Sequence, residues 1–317
     1  MFGIDLIHFL FLYVHRYIIY IILFIGALKL IKVIFKFPYL IYIYFLRREY
    51  DLYKRYGGGY ALVLGSTNGI GLQYCYDFAQ RGFNLIMISR KMDLLEKRKK
   101  EIELKFPKID IKIAKIDFIR IKNEDFINQI QLITKDLDVS VIVANAGPGR
   151  FNDFNKLDYS DFEMTIQVNV RVYTYICRIL IPRLLLRKHK SAILFMSSGF
   201  ETGNLPCANV YAGSKAYVMT LAKLLDLEYG KKIDVLSISL GEIEQEGYKP
   251  VDPCAPHAKN LPSQHFRFLG KTVVTAGNWE HAFMNWFMDT TKLYSSEVID
   301  YLKKVDEAIL KDKYKSQ

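Results

Sequence analysis

Two regimes of hydrophobic patterning divide the chain. Between residues 6 and 28 nearly every position is Leu, Ile, Phe or Tyr, and His8, His15 and Arg16 are the main interruptions. About twenty such residues suffice to cross a bilayer as a helix, so this stretch predicts an N-terminal transmembrane helix. Arg16 works against insertion, because a charge near the bilayer centre costs about 3 kcal/mol on insertion scales, whereas the run from Tyr17 to Leu28 carries no charge. A second apolar stretch, residues 33–46, is broken by Lys36 and Pro38 and predicts an interfacial segment or one packed on the core. The chain opens Met1-Phe2-Gly3-Ile4-Asp5 without a small-residue cleavage site, which favours an uncleaved anchor. Lys29, Lys32, Lys36, Arg47, Arg48, Lys54 and Arg55 follow the clean run, and that bias predicts a cytosolic catalytic portion.

Beyond Tyr60 the pattern changes to short, fully apolar runs separated by longer mixed segments. The runs predict strands at 60–64, 84–89, 109–115, 139–143, 192–196 and 233–239. The segments between them predict helices at 72–80, 92–106, 123–134, 161–188 and 208–229. Such alternation makes a parallel sheet covered by helices on both faces, an α/β fold of the Rossmann-like, doubly wound kind. The domain plan is therefore a membrane anchor and basic linker over 1–56, a catalytic domain over 57–280 that includes a substrate loop at 241–261, and a helical tail over 281–317.

Composition narrows the function. The net charge of +11 is spread along the chain, and its densest block, Lys97-Arg98-Lys99-Lys100, reads as a solvated helix end. No basic and aromatic module accompanies the charge, so nucleic acid is not an expected partner. A basic surface suits an anionic membrane or an acyl-CoA. Cys75, Cys177, Cys207 and Cys254 lie far apart, which indicates neither a metal site nor a disulfide framework and fits a reducing compartment. His257, His265 and His281 show no metal spacing and read as ordinary loop and surface residues.

Candidate chemistry begins directly after the first strand, at Gly65-Ser66-Thr67-Asn68-Gly69-Ile70-Gly71. Glycines between a strand and a helix let the backbone approach a pyrophosphate, and the helix start offers unpaired N–H groups to it. The second strand ends in Ser89-Arg90, where an NAD-specific site would carry an acid for the ribose hydroxyl. A guanidinium there can pair with a phosphate instead, which points to NADP(H) over NAD(H). Further on, Tyr211 and Lys215 stand four apart on a predicted helix, and the ammonium lowers the cost of forming phenolate. The strand at 192–196 delivers Ser197 and Ser198 to the carboxyl end of the sheet, where open α/β sheets place their ligands.

Taken together, these stretches resemble the short-chain dehydrogenase/reductase family over roughly residues 60–239. The resemblance rests on the glycine turn, Asn145-Ala146-Gly147 after the fourth strand, Asn169 within Val168-Asn169-Val170, and Ser198 with Tyr211 and Lys215. Within the family the chain is most similar to membrane-bound beta-ketoacyl-CoA reductases and hydroxysteroid dehydrogenases. That resemblance implies reduction of a lipid-like ketone with NADPH, a proton from Tyr211, carbonyl alignment by Ser198, ribose contact and phenol activation by Lys215, and a water-linked proton path at Asn169. It also implies Asp117 near the adenine, and a dimer through the helices at 161–188 and 208–229. The ending Lys313-Tyr314-Lys315-Ser316-Gln317 has the form of a retrieval signal, so the expected location is the endoplasmic-reticulum membrane.

The family pattern breaks after the sixth strand. A Pro-Gly pair and a threonine four residues past the glycine are expected, and the chain has Leu240-Gly241-Glu242-Ile243-Glu244-Gln245. Two carboxylates near a phosphate site weaken binding unless they point away. Ala144 also stands where an asparagine is usual. A second reading therefore stays open, an accessory subunit of a membrane complex, mitochondrial in that case, that keeps the fold and holds a nucleotide without turnover.

Overall fold

The computed structural model describes residues 2–202, 206–246, 250, 255–283, 285, 300, 303–304 and 306–307. It divides into two compact units, residues 1–48 and 49–317. The first unit is one long helix, α1 (Phe2–Ile41), ending in a π-helical turn at Tyr42–Leu46. Among the described residues no helix is long and apolar enough to cross a membrane. The expected transmembrane helix is corrected accordingly. The charge-free stretch from Tyr17 to Leu28 would rise only about 18 Å as a helix, against about 30 Å of hydrocarbon. Most of the described apolar side chains of α1 are nevertheless exposed: Tyr20 is 61% exposed, Phe24 65% and Phe35 70%.

In the second unit, α2 (Leu52–Tyr56) precedes a seven-stranded parallel sheet. Its strands are β1 (Tyr60–Leu64), β2 (Asn84–Ser89), β3 (Ile111–Lys115), β4 (Val139–Ala144), β5 (Ser191–Ser198), β6 (Ile233–Leu240) and β7 (Val274–Thr275), in the order β3-β2-β1-β4-β5-β6-β7. The apolar runs become strands because both faces are covered: every residue of β4, β5 and β6 is buried. The edge strand β3 exposes Lys112 and Lys115, charges that discourage pairing with a further strand. The covering helices include α3 (Gly69–Gln80), α4 (Met92–Lys105), α5 (Asn123–Thr134), α6 (Tyr159–Ile166), α7 (Tyr173–Leu186), α8 (Asn209–Tyr229) and α9 (Leu261–Phe266).

Three local differences matter. The single helix expected at 161–188 is two, α6 and α7, joined by a π-helical turn at Gln167–Val172. Such turns gather at functional sites, and this one carries Asn169. His265 and His281 are buried rather than at the surface. The Tyr74 hydroxyl lies 2.6 Å from His265 Nδ1, and burial pushes the His265 ring down to about 3, so it stays neutral. The basic run 97–100 lies inside α4, and Arg98 turns back toward the glycine turn instead of out to solvent. The tail at 313–317 and Cys254 lie outside the described residues.

Strand order reverses between β1 and β4, the switch point at which open sheets bind ligands beyond the carboxyl ends of their strands. The glycine turn follows β1, residues 145–147 follow β4, and β5 ends in Ser198 beside it.

Candidate active site

The turn after β1 is built by its glycines. Gly65 and Gly69 adopt φ of 78° and 56°, a region closed to most side chains. Gly71 packs against Gly65 O and Asn145 Nδ2, so an added methyl there would overlap both. Asn145 Nδ2 donates to Gly65 O at 3.0 Å and ties the end of β4 to the turn. Asn68 caps α3, its Oδ1 accepting the Gly69 N–H at 2.8 Å. Ser66 is buried, and its hydroxyl donates to Ile88 O at 3.3 Å. Thr67 Oγ1 lies 3.0 Å from Ser89 Oγ and joins the turn to the end of β2.

A cavity of about 390 Å³ runs from this turn to the phenol of α8. Gly65, Asn68, Ile70, Asn145, Ala146, Gly147, Ser198, Tyr211 and Lys215 all line it, which brings together nine of the residues singled out by sequence. Arg90 and Asp117 do not line it: Arg90 is exposed at the end of β2, and Asp117, after β3, accepts the Ile119 N–H at 3.0 Å. Asn169 lies behind the lining, fully buried, with Nδ2 donating to Pro148 O at 3.1 Å and to Ser214 Oγ at 2.9 Å. Its Oδ1 has no partner. A methyl placed on Gly147 would lie 2.7 Å from Lys215 Nζ and 3.5 Å from Asn169 Oδ1, so the three groups crowd one spot.

Lys215 is 2% exposed, and its ammonium donates to Met196 O at 2.7 Å. Burial pulls its pKa down to about 8, and the carboxylate of Glu201 acts in the opposite sense. Burial raises the Tyr211 phenol, the Ser198 hydroxyl opposes that rise, and Glu201 adds to it. Tyr211 is held in an aromatic cluster, edge-on to Phe151 at 5.2 Å and to Phe200 at 6.1 Å.

Sequence reasoning missed several residues here. Phe151 and Phe200 make the cavity apolar beside the phenol. Glu201 is buried and accepts hydrogen bonds from Ser197 and Ser239, register partners on β5 and β6. Nothing in an isolated acid after a strand announces that role. The loop after β6 turns its acids differently from one another. Glu244 is exposed, with its backbone paired to Pro256 and Ala258, whereas Gln245 lines the cavity and its side-chain oxygen stands against Gly69. Glu242 lines the cavity as well, and its carbonyl accepts from His281 Nε2 at 3.1 Å.

A sequence profile described as short chain dehydrogenase matches residues 59–253, more than half of the chain. The chain belongs to the short-chain dehydrogenase family. A very-long-chain 3-oxoacyl-CoA reductase-like protein of Arabidopsis thaliana is 34% identical over 180 residues, 56% of this chain and 56% of that protein. The match thus spans little more than half the length of that relative. The 7beta-hydroxysteroid dehydrogenase of Clostridium sardiniense is 30% identical over 68% of this chain and 83% of its own. Among solved structures, one of a 7beta-hydroxysteroid dehydrogenase superposes with a TM-score of 0.68 at 22% identity, covering 80% of this chain and all of that one. An L-sorbose reductase of Gluconobacter frateurii, complexed with NADPH and L-sorbose, gives a TM-score of 0.54 at 23% identity over 60% of this chain and 71% of its own. Those likenesses show the fold, and the family makes the chain an oxidoreductase whose fold binds a nicotinamide cofactor.

Proposed function

We propose that the protein reduces the ketone of a bulky apolar substrate, a 3-oxoacyl-CoA or a steroid-like ketone, to the alcohol with NADPH at a membrane. The observation that carries this reading is a single cavity. It begins at a glycine turn fitted to a dinucleotide and ends at a phenol flanked by Ser198, Lys215 and two phenylalanines. The turn, the start of α3 and the 145–147 segment would hold the cofactor, which supplies hydride to the carbonyl carbon.

The chain's own residues handle the oxygen. Tyr211, kept protonated across neutral pH by its burial, gives its proton as negative charge develops on the carbonyl oxygen. Ser198, beside that phenol, donates a hydrogen bond to the same oxygen and aligns it. Lys215 keeps a positive charge below about pH 8, which stabilises the phenolate left after transfer. Asn169 Oδ1, buried and unpartnered next to Gly147, accepts from a water that returns a proton toward Lys215. Phe151 and Phe200 exclude water and favour an apolar group beside the ketone.

Support for the membrane comes from α1, whose bare Tyr, Phe and Ile side chains exceed what a soluble surface tolerates without a partner. The membrane we propose is that of the endoplasmic reticulum, which the resemblance to membrane-bound beta-ketoacyl-CoA reductases implies. The accessory-subunit reading draws on one observation, the loop that lays Gln245 against Gly69.

The test is NADPH oxidation by the detergent-solubilised protein with long-chain 3-oxoacyl-CoA and ketosteroids, compared with Tyr211→Phe. Phenylalanine keeps the aromatic cluster, so the variant should fold, bind NADPH and turn over about 10²–10⁴-fold more slowly. NADPH binding without turnover on the whole panel would sink the reductase reading in favour of the accessory one. Flotation of the full chain with liposomes checks the membrane.

A further inference from the structure

Arg98 and Glu246 meet at the outer edge of the glycine turn, and neither has a part in the site described above. Arg98, on α4, is only 14% exposed. Its Nε donates to Thr67 O at 3.3 Å, one terminal nitrogen to Glu101 at 3.0 Å, and the other to Glu246 at 2.5 Å. The Glu246 side chain, by contrast, is 70% exposed. Its backbone carbonyl accepts from Asn68 Nδ2 at 3.0 Å. Two contacts therefore lay the segment after β6 across the turn, and between them and the cavity Gln245 stands against Gly69, at the start of α3.

A guanidinium at the outer edge of a glycine turn, carrying a carboxylate from a surface loop, has the form of an anion site filled from within. We propose that Arg98 receives the 2′-phosphate of the cofactor's adenosine ribose, and that Glu246 holds the place as an internal surrogate and latches residues 244–246 over the glycine turn. This inference rests on the dinucleotide site of the reductase reading and assigns its phosphate to a residue outside the strand end.

The exchange is favoured on three grounds. Carboxylate and phosphate both match the guanidinium fork, and a phosphate brings more charge and a third oxygen. The carboxylate that must leave is exposed, and surface ion pairs of that kind hold weakly against solvent and salt. Arg98 cannot swing away with it, since Thr67 O and Glu101 keep the guanidinium in place. A cofactor without the 2′-phosphate has nothing to exchange for Glu246. Either cofactor must open the latch and loses apparent affinity by the fraction of chains that are closed, but only the 2′-phosphate regains a contact with Arg98.

The experiment is calorimetric titration of the full chain in detergent with adenosine 2′,5′-bisphosphate and with adenosine 5′-monophosphate. For Glu246→Gln, which removes the latch and leaves the receptor, both ligands should tighten about two- to fivefold while their affinity ratio stays within about twofold. For Arg98→Gln the ratio should fall about tenfold or more, with Arg98→Lys between the two, because the charge remains and the fork is gone. Thermal melts confirm that each variant is folded. A ratio that survives in Arg98→Gln but is lost in Arg90→Gln would assign the phosphate to the end of β2 and overturn the receptor. Unchanged affinities in Glu246→Gln would overturn the latch. If neither ligand binds the parent or Glu246→Gln, the dinucleotide site itself falls, an outcome distinct from a lost ratio.

Discussion

Asp306, near the carboxyl end, should govern both the stability of the second unit and the grip of the site on its ketone. Its carboxylate is 4% exposed and accepts three hydrogen bonds, from Arg150 Nε at 2.7 Å, a terminal Arg150 nitrogen at 3.1 Å and the Phe151 N–H at 3.0 Å. Replacing it by alanine leaves the buried Phe151 N–H without an acceptor and Arg150 with Asp161 alone, at 3.1 Å. Removing one partner of a buried pair costs about 3–5 kcal/mol, and the surviving Asp161 contact places Asp306→Ala near about 3 kcal/mol. For a unit of this size that is a fall in Tm of about 6–12 °C. Arg150 and Phe151 share a loop, and Phe151 packs edge-on to Tyr211, so loosening it should raise KM for the ketone more than it lowers kcat. Asp306→Asn, which keeps an oxygen for the Phe151 N–H, should lose about half as much stability. Differential scanning calorimetry and steady-state kinetics read both effects. Parental Tm and KM in Asp306→Ala would refute the claim that the carboxyl-terminal segment supports the site.

Other perturbations separate the roles of the buried charges. Lys215 is pulled down to about 8, below its ordinary value, so its ammonium is present below that pH and lost above it, and kcat should decline on the alkaline side of about pH 8. Glu201→Gln removes the carboxylate that holds Lys215 up, which should move this decline to lower pH; a pH–rate profile identical to the parent's would deny Glu201 that influence. Burial alone would raise Asp234, yet hydrogen bonds from Arg55 and Lys190 hold its carboxyl below the usual range. Its contribution to stability is therefore full above about pH 4 and disappears as pH falls through its folded pKa. Asp234→Asn should cost about 2 kcal/mol at neutral pH, discounted because Arg55 and Lys190 are 24% and 33% exposed, and should flatten the acid side of the Tm–pH curve. Gly71→Ala should abolish NADPH binding, measured by fluorescence titration, because its methyl would meet Gly65 O and Asn145 Nδ2.

The sheet was legible because its strands are buried on both faces, which converts each into an unbroken apolar run that periodicity detects. The two-residue β7 has no such run. The π turn that carries Asn169 was hidden for a different reason: one extra residue in a helix leaves the apolar spacing nearly unchanged, so 161–188 reads as one helix. Residues whose role depends on local order, the glycine turn and the Tyr211–Lys215 pair, could be read because their neighbours in sequence are also their neighbours in the site. Glu201, Asp306 and Arg98 could not. Each acts on a group reached only through the fold: Glu201 across 38 residues to Ser239 on β6, Asp306 across 155 residues to Phe151, and Arg98 across 148 residues to Glu246.

The loop after β6 shows how far apart composition and geometry can stand. In sequence, Glu242 and Glu244 stand near a place expected for phosphates, where Coulomb repulsion weakens binding, and Glu246 follows them. In the structure the three acids have separate fates: Glu244 faces solvent, Glu246 is neutralised by Arg98, and Glu242 alone lines the cavity. Of the three carboxylate residues Glu242 therefore stands where a cofactor's charge is met at shortest range, whereas an exposed charge such as that of Glu244 is screened over about 10 Å of salt solution. Glu242→Gln should accordingly tighten NADPH, and the gain should shrink as salt is raised from low to high ionic strength. A gain equal at both would mean that the carboxylate points away from the phosphates, so that the loop's shape, not its charge, limits cofactor entry.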